Sequence, residues 1–326
     1  SCGFGIECNS LKDETSEFYV QGQKLFNQTS VKPTLLQKIA RFINVLPSTA
    51  QLAVVNLENF FREVVRDTLK YREDNKVVRK DFMHLMIQLK NKGTITEISN
   101  ADDDVYDKTV NEDGIGFEEL AGQVLLFFTA GFETSSTTMS FALLQLTQYP
   151  DIQEKMREEA RRIFKKFGGK FTYEGVQEMN YIECVVKETL RMYPPLAILP
   201  RVCTRNYRIP NTDVIIEKDT SLRISVWGLH TDPEYFPEPL KFNPDRFSPE
   251  NKHKINPHAY IPFGDGPRQC LGMRFALLES KLGLAVLLKD FNFSLHKTTP
   301  YPPKYVVNNY IPTVEGGVLL NVTKVD

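Results

Sequence analysis

Cysteine is scarce in this sequence, which has five among 326 residues. They are odd in number, lie far apart and form neither a C-x-x-C pair nor a cysteine–histidine spacing typical of zinc. A disulfide scaffold and a structural zinc site are therefore not expected, and the pattern indicates a reducing compartment. The cysteines are Cys2, Cys8, Cys184, Cys203 and Cys270.

An excess of one charge is also lacking, because 40 Lys and Arg oppose 41 Asp and Glu and leave a formal net charge of −1. Proteins devoted to gripping nucleic-acid phosphates are strongly basic, so that class is excluded. No apolar run approaches the ~18 residues of a membrane span, and no secretory signal is recognisable. The hydrophobic share of 41% and the charged share of 25% are those of a globular protein and exclude a disordered chain.

Helical patterning dominates what the sequence does contain. Apolar residues spaced by three and four predict amphipathic helices over residues 33–40, 52–71 and 80–89. A longer helix is predicted over residues 117–149, ended by Pro150. Its apolar residues cover so much of the circumference that it should run through the middle of a large domain.

The second half of the chain mixes helices with short β-rich stretches. Asp151 is predicted to cap a strongly charged helix that Gly168 and Gly169 stop. The β-rich stretches are separated by turn residues and predict a small sheet, and the proline-rich residues 233–267 predict an irregular connection. The helices are predicted over 152–167, 180–192 and 271–289, and the β-rich stretches over 207–209, 214–217, 222–226 and a short tail.

Residues 91–116 form a polar stretch that holds several aspartates. A solvated surface loop is predicted there. A calcium-binding loop is the alternative, but the spacing of its acidic residues does not fit one. Because the chain shows no repeats and no linker, a single domain is predicted over residues 1–326.

One cysteine lies in a setting that suits a metal ligand. Residues Phe263 to Gly272 read FGDGPRQCLG, so Cys270 follows a Gly/Pro turn at the mouth of the last long helix. A helix N-terminus offers unpaired N–H groups and a positive dipole, which stabilise a thiolate. Gly266 and Gly272 let the backbone approach a flat ligand, and Arg268 suits a carboxylate such as a haem propionate. A buried structural cysteine is the plainer alternative.

With every fixed position of the pattern F-x-x-G-x-R-x-C-x-G present, the sequence resembles the cytochrome P-450 superfamily. The resemblance implies a mainly α fold with a small β-sheet. It also implies haem b as the cofactor, with Cys270 as the thiolate ligand of its iron and Arg268, Phe263 and Gly272 as further haem-binding residues. A thiolate ligand favours O–O cleavage at haem iron.

The segment Glu188-Thr-Leu-Arg191 matches the E-x-x-R pattern of that superfamily. By itself it is an i,i+3 ion pair, worth well under ~1 kcal/mol when exposed. The resemblance implies instead a buried triad, in which Arg246 of the segment Pro244-Asp-Arg-Phe247 is the third member. This triad would brace the underside of the cysteine loop.

Ala130-Gly-Phe-Glu133-Thr134-Ser135 lies midway along the predicted 117–149 helix and matches the superfamily's AGxETT-type element, with Ser135 in place of a second threonine. Acidic and hydroxyl side chains in an apolar helix are costly unless they are satisfied, and a threonine bonded to its own i−4 carbonyl is the plain alternative. The resemblance implies that Glu133 and Thr134 relay protons and that Ala130 leaves room for oxygen and substrate beside the haem.

The segment Pro194-Pro-Leu-Ala-Ile-Leu-Pro-Arg201 follows the E-x-x-R helix. The resemblance implies that it passes the haem edge, with Arg201 as a second propionate partner and Leu196 and Leu199 in the substrate cavity wall. An extended apolar connector that ends in a surface arginine is the alternative.

The rest of the predicted substrate lining comes from the long helix and the tail. Phe127 and Ala130 share one helix face with Thr134 by their spacing, and the turn near residues 314–318 would complete the wall. Such a lining suits an apolar molecule held loosely.

Softer patterns extend the resemblance over the whole chain. Residues 3–12 and 79–90 resemble microsomal enzymes of the insect family-six type. The comparison also implies that about the first third of such an enzyme, including its membrane anchor, precedes Ser1. The implied location is the cytosolic face of the endoplasmic reticulum membrane.

The resemblance also implies redox partners, namely a flavin-containing NADPH reductase and a small b-type cytochrome. A basic surface would steer the reductase; a solvated helix face is the alternative, because glutamates are interleaved. The residues concerned are Lys155, Arg157, Arg161, Arg162, Lys165, Lys166, Lys252, Lys254, Arg274 and Lys281.

Three functional hypotheses follow. The first is a haem-thiolate monooxygenase that inserts one atom of O₂ into a lipophilic substrate, such as a plant toxin, an insecticide or an endogenous lipid, with electrons from NADPH. The second is a haem-thiolate isomerase that acts on a peroxide without a reductase, against which Glu133 and Thr134 argue. The third is a fragment without haem or activity.

Overall fold

A computed structural model describes residues 4–6, 13, 15–27, 49–95, 114–306 and 311–325. The described helices are α1 (Glu17–Asn27), α2 (Thr49–Asn75), α3 (Phe82–Lys92), α4 (Phe117–Leu146), α5 (Pro150–Lys166), α6 (Tyr173–Gln177), α7 (Asn180–Met192), α8 (Val226–Thr231) and α9 (Met273–Asp290). The described strands are β1 (Ile198–Val202), β2 (Tyr207–Arg208), β3 (Ile215–Ile216), β4 (Ser221–Ser225), β5 (Phe291–Leu295) and β6 (Leu320–Lys324). Helix predominates and the strands are short, so the predicted mainly α fold class is confirmed.

The predicted helices recur with shifted ends, and the 180–192 helix has the predicted bounds. The prediction that Asp151 caps α5 is wrong, because Pro150 already occupies the first helical position, which suits its fixed φ. The predicted helix over residues 33–40 lies outside the described residues. So do residues 96–113 of the predicted polar loop, and its first two residues belong to α3.

The strands form three two-stranded antiparallel sheets, β1 with β4, β2 with β3 and β5 with β6. The prediction of one sheet from the three β-rich stretches between residues 207 and 226 is therefore wrong. The third of these stretches pairs with β1, and Leu199 lies opposite Ile224. The predicted extended connector thus supplies a strand, and its partner is set by tertiary pairing rather than by sequence order.

The described chain divides into two compact units, Ser1–Phe132 and Glu133–Asp326, and the division falls inside α4. The single domain over residues 1–326 stays a prediction. In the first unit the core lies between α2, α3 and the beginning of α4. A buried ion pair accompanies it, in which Arg72 donates to both carboxylate oxygens of Asp81 at 2.9 and 2.6 Å.

The core of the second unit lies between α5, α7, α9 and the end of α4. Arg157 of α5 is fully buried there and donates to the carbonyls of Leu288, in the last turn of α9, and Phe291, directly after that helix. Lys281 of α9 is buried too and bonds to Glu183. The prediction that Arg157 and Lys281 belong to a basic surface is therefore wrong, because both cations satisfy acceptors inside the unit. Among the described residues, no helix combines the length and hydropathy that crossing a membrane requires.

Candidate active site

The cysteine loop of the second unit is closed by backbone hydrogen bonds. The Cys270 amide donates to the Phe263 carbonyl at 2.8 Å, and the Gln269 amide donates to the Gly266 carbonyl at 3.0 Å. Gly264 and Gly266 have φ angles of +73° and +72°, which favour glycine. Cys270 is exposed, so the alternative of a buried core cysteine does not apply to it. Cys184, by contrast, is buried, and burial raises the pKa of its thiol to about 11.

Helix α9 begins at Met273, and Gly272 occupies the N-cap position. The predicted start at Leu271 lies two residues too early. The first amides of α9 follow directly on Cys270, where the helix dipole favours negative charge. A Cβ added to Gly272 would lie 4.0 Å from Cys270 Sγ, so the missing side chain leaves space beside the sulfur.

Two arginines lie at this loop. A Cβ added to Gly264 would lie 3.9 Å from Nη2 of Arg201 and 3.8 Å from the carbonyl oxygen of Arg268, which brings β1 to the cysteine loop. Arg201 Nη1 donates to the Pro200 carbonyl at 2.8 Å. The exposed guanidinium of Arg268 has no carboxylate partner within the part of the chain that the structure describes.

A buried ion pair forms between two residues of α7. Arg191 Nε donates to Glu188 Oε2 at 2.7 Å and Nη2 donates to Oε1 at 2.8 Å, and both side chains are wholly buried. Glu188 Oε1 also accepts from the Asn243 amide at 2.9 Å. Arg246 Nε lies 3.4 Å from Glu188 Oε1, an ion-pair distance without hydrogen-bond alignment. The structure therefore brings the three predicted triad residues together.

His230 belongs to no recognisable sequence motif, so the sequence does not predict it as a site residue. It lies near the end of α8, whose N-cap Ser225 accepts a bond from the Gly228 amide at 3.1 Å. Its buried ring stacks on Tyr260, and its nitrogens lie 3.1 Å from the Arg191 carbonyl and 3.0 Å from the Ile261 amide. These contacts come from segments far apart in the chain, so no local sequence pattern indicates them.

Glu133 and Thr134 lie midway along α4, at the start of the second unit. Glu133 is half-buried, and burial raises the pKa of its carboxyl above the ordinary value. The Thr134 carbonyl accepts a bond from the Thr138 hydroxyl at 2.8 Å. An acid of this kind holds its proton at a higher pH than an exposed one.

A cavity of about 170 Å³ opens beside Glu133. Hydroxyl groups of α4 line one wall, and the predicted tail turn lines the other. The lining includes Ser136, Thr137, Ser140, Pro312, Val314 and Val318. The hydroxyl-bearing residues are absent from the predicted lining, although their helical spacing from Glu133 is a signal that could have placed them on this wall.

The other predicted lining residues lie elsewhere. Leu199 is buried against Val226 and Ile261 and approaches Gly264, whereas Leu196 is exposed. Phe127 and Ala130 belong to the first unit, where the Phe127 ring stacks on Phe82 with centroids 3.9 Å apart. Their assignment to a substrate lining, and that of Ala130 to a haem site, stays a prediction.

Comparison with known proteins agrees with this arrangement. The family model described as Cytochrome P450 matches residues 1–313. The chain belongs to the cytochrome P450 family. Membership implies a haem b group with a cysteine thiolate ligand.

Three similar curated proteins are insect cytochromes P450. Cytochrome P450 6k1 of Blattella germanica is 41% identical over 99% of this chain and 63% of its own length. Probable cytochrome P450 6a19 and cytochrome P450 6a9 of Drosophila melanogaster are 39% and 38% identical, over 99% and 100% of this chain and 62% and 63% of their own lengths. The chain thus spans less than two thirds of the length of these relatives, and the predicted likeness to the insect family-six type is confirmed.

The residues at the cysteine loop fit a P450 haem. A single exposed sulfur stands at a helix N-terminus with open space on the Gly272 side. Two guanidinium groups at the same loop suit two carboxylates. An exposed sulfur, open space beside it and two guanidinium groups together suit a haem with two propionate groups.

Proposed function

We propose that this chain carries the catalytic site of a haem-thiolate monooxygenase that acts on a lipophilic substrate with electrons from NADPH. The exposed Cys270 sulfur, next to Gly272 at the N-terminus of α9, is the observation that carries the proposal. A family with this cysteine pattern needs a sulfur that a ligand can reach, and the exposure of Cys270 beside the side-chain-free Gly272 supports this role.

In this proposal Cys270 holds the iron, while Arg268 and Arg201 bind the two propionates. When bound, the haem supplies activation of O₂, with one oxygen atom entering the substrate and the other leaving as water. Phe263 and Gly272 flank the sulfur along the loop. The hydrogen bond from the Cys270 amide to the Phe263 carbonyl holds the backbone from which the cysteine side chain projects.

Glu133 and Thr134 are the proposed proton-handling residues. The Glu133 carboxyl borders the cavity, and its raised pKa lets it hold a proton that it can release into that cavity. The Thr134 hydroxyl, one residue on, would orient a water or a reacting group. The hydroxyl side chains around Glu133 offer hydrogen-bond partners along the same wall.

The substrate proposed is an apolar molecule, a class that includes plant toxins, insecticides and endogenous lipids. Val314 and Val318 of the tail turn give the cavity an apolar wall opposite the hydroxyl groups, and Phe141 of α4 adds a further apolar side chain. We also propose a flavin-containing NADPH reductase, with a small b-type cytochrome as a second donor, and a location at the cytosolic face of the endoplasmic reticulum. Among the cations predicted to dock the reductase, Arg274, which is exposed in the first turn of α9, lies nearest in sequence to Cys270.

The test is a carbon monoxide difference spectrum of the reduced, haem-supplemented chain. We expect a thiolate-type band that Cys270→Ala abolishes and Cys203→Ala retains, since Cys203 bonds to the Arg205 carbonyl instead. A thiolate-type band that persists in Cys270→Ala would overturn the assignment. No band in any variant would favour the fragment without haem.

Turnover separates the monooxygenase from the isomerase. A monooxygenase needs NADPH and the reductase, with product formation tied to O₂ consumption. Turnover of an organic peroxide that is indifferent to both would favour the isomerase instead.

A further inference from the structure

His230 lies between the buried ion pair of α7 and the irregular segment around Ile261 that leads into the cysteine loop. Arg191 Nη1 donates to the His230 carbonyl at 2.9 Å, so the ion pair of α7 fixes the His230 backbone. The His230 ring in turn contacts the backbone at Arg191 and at Ile261. The residue thus joins two segments that are 70 positions apart in sequence.

The partners of the ring define its protonation state. The Arg191 carbonyl can only accept, so His230 Nδ1 carries the proton and donates to it at 3.1 Å. The Ile261 amide can only donate, so Nε2 is unprotonated and accepts at 3.0 Å. Only the neutral Nδ1–H tautomer satisfies both groups.

Ile261, which the His230 ring holds through its amide, lies two residues before the start of the cysteine loop at Phe263. Its carbonyl accepts from the Gly264 amide at 3.0 Å, which starts the turn, and the neighbouring Phe263 carbonyl accepts from the Cys270 amide. A chain of consecutive backbone bonds therefore leads from the His230 ring to the backbone of Cys270. Any displacement of Ile261 would be passed to the residue that carries the sulfur.

We propose that His230 is a positioning residue for Cys270, which it acts on through Ile261 and Phe263. The proposal rests on the proposed function, in which Cys270 holds the haem iron. A role in packing alone is the competing explanation, because the ring also stacks on Tyr260 with centroids 5.3 Å apart. The two explanations differ in whether the ring nitrogens matter.

The variants His230→Phe and His230→Gln separate these explanations. Phenylalanine keeps a flat ring against Tyr260 but loses both hydrogen bonds. Glutamine loses the stack, but its side-chain oxygen can accept from the Ile261 amide. His253→Phe is the matched control, because His253 is exposed in the short 3₁₀ helix Lys252–Lys254.

The first readout is amide hydrogen exchange of the haem-free full chain at Ile261 and Cys270, with the unfolding midpoint measured in parallel. We expect at least tenfold faster exchange at both amides in His230→Phe, partial recovery in His230→Gln and no change in His253→Phe. Faster exchange at Cys270 should come with faster alkylation of its thiol. Should His230→Phe fail to fold, His230→Gln carries the test, with faster exchange than the parent expected at Cys270 and unchanged exchange overturning the proposal.

The second readout is the share of thiolate-type band in the carbon monoxide spectrum of the haem-loaded chain. This share should fall in His230→Phe and recover in part in His230→Gln. Unchanged exchange at Ile261 and Cys270 in a folded His230→Phe would overturn the positioning role. Failure of Cys270 as the ligand would instead appear as a band retained in Cys270→Ala, whatever the exchange data show.

Discussion

Arg191 and His230 hold each other through two reciprocal bonds to the main chain. The Arg191 guanidinium donates to the His230 carbonyl at 2.9 Å, and the His230 ring donates to the Arg191 carbonyl at 3.1 Å. Both side chains are wholly buried. These bonds connect the end of α7 to the end of α8, and further hydrogen bonds attach Glu188 to Arg191 and Ile261 to His230.

Replacing Glu188 with Gln should strongly destabilise the fold. It would leave the buried Arg191 charge without its counter-ion, a change that typically costs about 3–5 kcal/mol. Arg208→Gln is the control, because it removes an exposed ion pair with Asp213 that is worth no more than about 1 kcal/mol. Denaturant unfolding gives both values, and equal losses would contradict the role of the buried pair.

Acid should destabilise the protein through His230. Burial, the largest cause, lowers the pKa of His230 from 6.5 to about 4 in the folded chain. Below pH 6.5 the unfolded chain binds a proton that the folded chain refuses until about pH 4, so the free energy of unfolding falls over this window. The loss approaches about 3 kcal/mol, since one pKa unit corresponds to about 1.4 kcal/mol.

The comparison for this prediction is His230→Gln, which cannot titrate. The free energy of unfolding, measured by denaturant between pH 7 and pH 4, should fall less steeply in the variant than in the parent. Parallel curves would show that His230 carries none of the pH dependence, and acidic residues would then account for it.

Two glycines of the cysteine loop should resist substitution. Gly264→Ala and Gly266→Ala place a side chain at φ angles of +73° and +72°, where a left-handed conformation costs about 1–2 kcal/mol. Steric overlap adds little, because an added Cβ meets only ordinary contacts at Gly264 and open space at Gly266. Both variants should therefore lose a similar amount of the free energy of unfolding, as measured by thermal or denaturant unfolding.

Gly122→Ala is the opposite case in the same chain. Gly122 lies in α4 with open space around its Cα, so alanine should stabilise the helix by up to about 1 kcal/mol. If Gly122→Ala destabilised the protein as much as the loop substitutions do, backbone conformation would not be the cause of the destabilisation at the loop.

Arg268→Gln should weaken haem binding, since it removes an exposed guanidinium that lacks a carboxylate partner among the described residues. A charge-assisted bond to a carboxylate is worth about 1.5–3 kcal/mol, so affinity should fall roughly tenfold or more. Arg205→Gln, an exposed arginine on the loop after β1, is the control. Spectroscopic titration of the haem-free chain measures both, and identical affinities would remove Arg268 from the site.

Glu133→Gln should reduce product formed per NADPH consumed. The amide fills the same space beside the cavity but cannot release a proton, so substrate binding should change less than turnover. Ser136→Ala, on the same cavity wall, is the control, because its hydroxyl already bonds to the Glu133 carbonyl. Unchanged coupling in Glu133→Gln would exclude a proton-handling role.

Much of this molecule follows from local pattern. The 180–192 helix has its predicted bounds because an apolar period of 3.6 is written within the segment itself. The cysteine loop is also local, since its turn requires glycines within a few positions of Cys270. Helix α9 begins two residues later than predicted, and α5 begins at Pro150 without the predicted Asp151 cap. Both differences are within one helical turn, and helix ends are where local sequence signals are weakest.

Long-range partners could not be predicted in this way. The pairing of β1 with β4, the burial of Arg157 and Lys281, and the cavity beside Glu133 depend on segments far apart in sequence. The sequence alone does not show whether a cationic side chain is exposed to water or bonded to a carbonyl inside the core. Its burial is decided by whether acceptors from another element reach it.

The sequence by itself determined the family, the mainly α fold class and the cysteine that we propose as the haem ligand, because the family pattern and the helical periodicity are written in short segments. Only the tertiary structure decided how Cys270 is supported. The bonds that link Glu188, Arg191 and His230 to Ile261 join three separate segments. A neutral histidine tautomer is selected there because the buried backbone groups on its two sides, one acceptor and one donor, admit no other.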